Sequence, residues 1–270
     1  MVQLIARFAN GRSVAFEVDE GLSGSAYFAL SMRKCGSSIF NNICTALALE
    51  NGVRAIDVGA TLFDANFLTR EWQSDPALTV ILRPGNLYGG FRDMPLAWAN
   101  VALFVESPKV MMVRDPRDAL VSEYFSNAYS HMLPSSSGGG PMTAHIQNLR
   151  EAALRTEIDD SVKKNAPNML RPMMHYEGVV RMATTKILKY EDYIFRKEDL
   201  ILEISSSFGW KVNQKQIDEI LSWADVRPTS ENPREFIRKV TPGDHREKLL
   251  PETILELNRI LAPAMELFGY

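Results

Sequence analysis

Apolar residues in this chain come in short blocks whose spacing changes along its length. Residues 1 to 20 alternate weakly about Asn10-Gly11, the mark of a hairpin turn between two short strands. From Ala26 to Met32 the chain is apolar almost throughout, as a strand covered on both faces should be. After a polar break, Ile39, Phe40, Ile43, Cys44 and Leu47 recur at helical spacing until Asn51-Gly52 stops the helix. Further strands are predicted at Val53–Val58, Leu78–Leu82, Val110–Val113 and Thr185–Leu188, with helical segments between most of them. That alternation predicts an α/β fold with a central parallel sheet flanked by helices, and crossovers on both sides. From Asp192 the pattern is mostly helical, closing with Pro251 to Phe268. Residues 131 to 142, with Pro134-Ser135-Ser136-Ser137-Gly138-Gly139-Gly140-Pro141, are too short for a domain linker and read as a mobile loop or lid. A single domain over 1–270 is expected.

Composition narrows the classes. With 46% hydrophobic and 23% charged residues the chain can bury a full core, which excludes disordered and low-complexity classes. A net charge of -3 gives no global case for nucleic acid or an anionic membrane, so any anion site must be local. No run of eighteen apolar residues occurs, and no membrane span is expected. Two cysteines, Cys35 and Cys44, cannot build a disulfide framework. A reduced, cytoplasmic location is the expectation, and the oligomeric state stays open.

Three segments carry chemistry. Lys34-Cys35-Gly36-Ser37-Ser38 stands between a strand and a helix, the opening of a mononucleotide-binding unit. Its glycine lets backbone approach an anion, the helix start offers free N–H groups, and two hydroxyls and a lysine add donors. The lysine precedes the glycine, so this is not the Gly-x-x-x-x-Gly-Lys loop of an ordinary ATPase. In the second segment, Arg114-Asp115-Pro116-Arg117-Asp118 follows a strand: Asp115 caps a new helix and Pro116 suits its first turn. Residues 115, 118 and 122 then share one face, where Ser122 and Arg114 can converge on one anion. The third is Arg238-Lys239-Val240-Thr241-Pro242-Gly243-Asp244-His245, a basic pair before a Pro-Gly turn.

In this order the three segments resemble the PAPS-dependent sulfotransferases, and they bracket residues 26 to 245. Lys189-Tyr190-Glu191-Asp192 is similar to that family's Tyr-Glu-Asp stretch. The resemblance implies a three-layer P-loop-NTPase-like fold that binds 3′-phosphoadenosine 5′-phosphosulfate (PAPS) without a metal and releases PAP. By it, Cys35, Gly36, Ser37 and Ser38 line the 5′-phosphate, and Arg114 and Ser122 take the 3′-phosphate with Arg238 and Lys239. Tyr190 lies near the adenine, and Lys34 stabilises charge on the bridging oxygen. The chain departs from the family at Met32-Arg33, Ile39, Val240 and His245, where relatives carry proline, tryptophan, glycine and tryptophan.

The base is harder to read. The stretch Val80 to Asn86, where many relatives place a catalytic histidine, has none. Asp57, ending the strand after the loop helix, reads either as the base or as a turn-capping aspartate. Asp64 and Asp93 are weaker candidates, and His131 and His175 read as structural or surface histidines. The acceptor is expected to be a hydroxyl of a small molecule, lipid or sugar, against a wall formed by Tyr88 to Pro95, with Phe63, Phe67 and Trp98 nearby. Two other readings stay open: a P-loop nucleotide kinase, and a non-catalytic PAP-binding protein.

Overall fold

A computed structural model describes residues 1–21, 23–134, 139–235 and 237–270. The hairpin forms as expected. Strands β1 (Val2–Arg7) and β2 (Ser13–Val18) pair antiparallel about the Asn10-Gly11 turn, outside the main sheet. Ala9 N–H donates to Asp75 and Asp19 N–H to Asn86, which pins both ends of the hairpin to the body.

The main sheet has five strands, β3 (Tyr27–Ser31), β4 (Arg54–Asp57), β5 (Asn86–Gly89), β6 (Lys109–Val113) and β7 (Thr185–Lys189). Every pairing is parallel and the order is β4-β5-β3-β6-β7, so β3 is central. Residues of β5 and β6 are buried throughout, and all but the first of β3, because helices cover both faces. Helices α1 (Ser37–Glu50), α2 (Val58–Asp64) and α3 (Pro116–Phe125) follow β3, β4 and β6. Helices α4 (Pro141–Leu154), α5 (Ile158–Met174), α6 (Lys197–Phe208), α7 (Gln214–Ala224) and α8 (Pro251–Phe268) complete the layers. The core centres on Phe28 of β3, whose ring stacks on Tyr88 and meets Trp98 and Phe104 edge-on. Phe67 and Trp98 are core residues rather than pocket wall.

One predicted strand is wrong. Residues Pro76–Ile81 form a 3₁₀ helix, capped by the Asp75 carboxylate on Ala77 N–H with proline in its first turn. The strand lies later, at Asn86–Gly89, hidden by its polar start. Asn86 is fully buried because its amide is satisfied, accepting from Asp19 N–H and donating to the carbonyls of Asp19 and Pro84. Both cysteines are buried free thiols. Among the described residues, no helix is long and apolar enough to cross a membrane.

Candidate functional site

Parallel strands deliver their C-terminal ends to one edge of the sheet, and the predicted site residues gather there. β3 runs into Met32 to Gly36, β4 ends on Asp57, β5 leads to Gly90–Asp93, β6 hands over to Arg114 and β7 to Tyr190. The chain leaves β3 between neighbours β5 and β6, so the loop after β3 lies where the strand order reverses.

That loop is built as an anion cradle. Gly36 is the N-cap of α1 with φ 75°, and no side chain caps the helix, which leaves its first N–H groups free. A side chain at Gly36 would strike Tyr190, whose ring carbons stand 2.9 and 3.0 Å from the position of a Cβ. Lys34 also holds a left-handed φ of 63°, rare for a residue with a side chain. Burial first, then Arg92, Arg33 and Arg114, push the Lys34 ammonium down to about 8, against the pull of Glu123. The ammonium has no hydrogen-bond or ion-pair partner among the described residues. Cys35 is fully buried, and burial pushes its thiol up to about 12, so it contributes backbone rather than a nucleophile.

Arg114 is buried beneath this loop. One Nη donates to the Lys34 carbonyl at 3.2 Å, the other stands 3.8 Å from Asp118, and the guanidinium lies 4.4 Å over the Tyr190 ring. Its Nε is buried with no hydrogen-bond partner. Ser122 sits one helical turn beyond Asp118 on α3, on the same face. Tyr190 thus packs between Gly36 and Arg114, and its hydroxyl donates to the Val240 carbonyl.

That last bond draws in the third segment. Asp118 accepts from the backbone N–H groups of Gly243 and His245 and bonds the His245 ring at 2.6 Å. Burial alone would raise the Asp118 carboxyl; His245 and Arg114 outweigh it and hold it down at about 2. Arg238 and Lys239 lie beside this anchor but are already occupied. Arg238 pairs with Glu231 and Asp244 and covers the Phe125 ring, and Lys239 bridges Asp244 and Glu247.

At the other end of the edge, Asp57 meets the second of its two expectations. One carboxylate oxygen caps α2 by accepting Ala60 N–H at 2.7 Å, and the other accepts the Asn41 amide at 2.8 Å. Gly90 has no side chain because a Cβ would fall 1.7 Å from that carboxylate. Asp93 is buried and bonded by the Thr69 hydroxyl, its carboxyl raised by burial.

Sequence reasoning sets Arg92 in an acceptor wall, reads His131 as structural or surface, and passes over Glu123; all three act on or lie near Lys34. Arg92, after the unrecognised strand β5, donates to Ser38 Oγ at 3.1 Å. Glu123 holds Arg33 in a 3.0 Å ion pair. His131 closes a π-helical turn over Ser126–Ser130 and lies near Lys34, Arg92 and Arg150. Of the expected lid, Ser135 to Gly138 lie outside the described residues. Among the described residues no group of three or more His, Cys, Asp or Glu is placed to hold a metal.

A family model described as Sulfotransferase domain matches residues 93–269, about two thirds of the chain. No curated protein sequence matches the chain. Among solved structures, mouse sulfotransferase SULT7A1 complexed with PAP is similar at TM-score 0.54 and 15% identity, over 89% of this chain and 84% of that one. Retinol dehydratase in a complex with retinol and PAP is similar at TM-score 0.50 and 14% identity, over 98% of this chain and 90% of that one. These likenesses show a shared fold, and the family match begins beyond the Lys34 loop, whose role rests on its geometry.

Proposed function

The chain belongs to the sulfotransferase domain family, and from that premise we propose that its site takes PAPS as donor and passes the sulfuryl group to a hydroxyl acceptor. The observation that carries the donor assignment is the meeting of two cations at one strand-order reversal. Among the described residues Lys34 has no hydrogen-bond or ion-pair partner and Arg114 has a buried, unpartnered Nε, both beside an uncapped helix start. A buried donor without a partner is costly, and an anion seated there would satisfy it.

The residues present fit a nucleotide with phosphates at both ends. Gly36, Ser37 and Ser38 hold the 5′-phosphate through backbone N–H groups and hydroxyls, with Cys35 as buried backbone support. Arg92, bonded to Ser38, brings a second charge to that end. Arg114 and Ser122 hold the 3′-phosphate; Arg238 and Lys239 join it by giving up a carboxylate. Tyr190 separates the two ends and borders the nucleoside. Lys34 faces the bridging oxygen, where charge develops as sulfuryl leaves. Positioning and preorganised charge do this work, as in phosphoryl transfer, with no covalent enzyme intermediate.

Asp57 serves in this reading as the peg that ends β4, starts α2 and fixes Asn41. The acceptor is a small-molecule, lipid or sugar alcohol that enters opposite the nucleotide. Two buried free thiols suit a reducing cytoplasm.

Calorimetry with PAP and ADP, with and without Mg²⁺, tests the assignment. PAP is expected to bind tightly and independently of Mg²⁺. Lys34→Met is expected to keep PAP binding within about tenfold while slowing sulfuryl transfer on the order of a hundredfold or more. Preference for ADP with Mg²⁺ would overturn the donor assignment.

A further inference from the structure

The geometry around the π-helical turn leads past the unassigned base. A π turn closes i→i+5 hydrogen bonds, is rare, and is frequent at functional sites. Here His131 N–H donates back to the Ser126 carbonyl at 2.7 Å, and the His131 carbonyl accepts from Arg150 at 2.8 Å. The backbone of His131 is therefore fixed from both sides. Its ring Nδ1 lies 3.2 Å from Asn127 Oδ1. An amide oxygen only accepts, so Nδ1 carries the proton and Nε2 presents a lone pair. Nε2 has no hydrogen-bond partner among the described residues.

We propose that His131, through Nε2, is the general base that takes the proton of the acceptor hydroxyl, and that donor binding readies it. The proposal rests on the sulfuryl-transfer reading above. The acceptor oxygen bonds to sulfur while its proton moves to Nε2. The bond from sulfur to the bridging oxygen breaks, and its electron pair stays on that oxygen, facing Lys34. A sulfate ester, PAP and an imidazolium result, and the imidazolium returns its proton to water. No atom changes oxidation state.

The groups around the ring explain why it would act only in the loaded enzyme. Lys34 of the loop, Arg92 beyond β5, and Arg150 and His145 of α4 act on it electrostatically. Glu123 of α3 sets the opposing charge, reaching both Lys34 and His145, with Arg33 paired to it. Burial, then these cations, push the imidazole down to about 4, so the free protein holds it neutral but weakly basic. An anion bound on Lys34 and Arg92 offsets the two largest repulsions and lets the imidazole rise toward its ordinary value of about 6.5. A base works best close to the working pH, so the rise is in the useful direction.

The four histidines make this readable by proton NMR of the imidazole rings. The His131 signal, identified by its loss in His131→Gln, is expected to titrate at about 4 in the free protein and at least one pH unit higher with saturating PAP. Lys34→Met is expected to raise it without ligand. Hydrolysis of PAPS, with water as acceptor, is expected to slow by roughly a hundredfold or more in His131→Gln, with PAP affinity held within about twofold. An imidazole unmoved by PAP, or His131→Gln hydrolysing at the wild-type rate, would overturn the proposal and leave the donor assignment standing. Failure of the wild-type protein to bind PAP would bring both down.

Discussion

The two cationic arms assigned to the 3′-phosphate are in opposite states. Arg114 is buried at 5% exposure, braced by the Lys34 carbonyl and the Tyr190 ring, and keeps one donor without a partner. Arg238 is about as buried but has a carboxylate on each side. The first arm is preorganised for an incoming anion, and the second must exchange one anion for another. A preorganised charge contributes affinity without reorganisation, whereas an exchanging one contributes only the difference between two partners. The contrast places specificity on the strand ends and adjustability on the late segment.

Asp118 joins the two arms, and removing it is the largest perturbation available. It is 1% exposed and receives two backbone N–H groups, the His245 ring and the Arg114 charge. Asp118→Ala strands these groups and is expected to cost about 3–5 kcal/mol in urea unfolding. The stabilisation from Asp118 is present above its unfolded pKa of about 3.9 and fades as the pH falls through about 2. Loss of less than about 1 kcal/mol would mean that the late segment is held elsewhere.

A smaller effect separates the arms directly. Arg114→Ala is expected to weaken PAP binding roughly thirtyfold or more, the low end for truncating one member of a buried charged pair. Arg238→Ala is expected to cost less than about tenfold, because the carboxylates it releases remain near Lys239 and Lys248. Calorimetry on both variants decides; equal losses would erase the distinction between a waiting arm and an exchanging one.

How much of this the sequence could yield follows the same division. The Lys34 loop and the Arg114 turn are local: a nearly all-apolar strand, a glycine before a helix start, and an Asp-Pro cap announce themselves within a dozen residues. Leu78–Leu82 misled because four apolar residues about Thr79, set between turns, suit a strand and a 3₁₀ turn equally. The true strand at Asn86 has its polarity satisfied by Asp19, sixty-seven residues away. Arg92 reads only as part of an acceptor wall for the same reason, since its place beside Ser38 depends on where β5 ends. His131 could not be read from spacing at all, because a π turn moves a side chain off the 3.6-residue register. Asp57 was legible only as a choice between two duties, and Asn41 and Ala60 N–H favour the cap.

The smallest effect tests Lys34, a cation on the preorganised side that titrates in an accessible range. Burial and three arginines hold its ammonium down at about 8 in the free protein. An anion on the loop favours the charged form and lifts that value, so binding takes up a proton wherever Lys34 is neutral beforehand. Below pH 8 the lysine is already charged and PAP affinity should be flat on its account. Above pH 8 affinity should fall, by up to about tenfold per pH unit, until the bound form also titrates. Lys34→Met removes the fall while leaving the Arg114 contacts with the Lys34 carbonyl and the Tyr190 ring in place. A wild-type affinity that stays level from pH 7 to 9.5 would place the ammonium outside the anion cradle, and with it the charge that this site brings to the bridging oxygen.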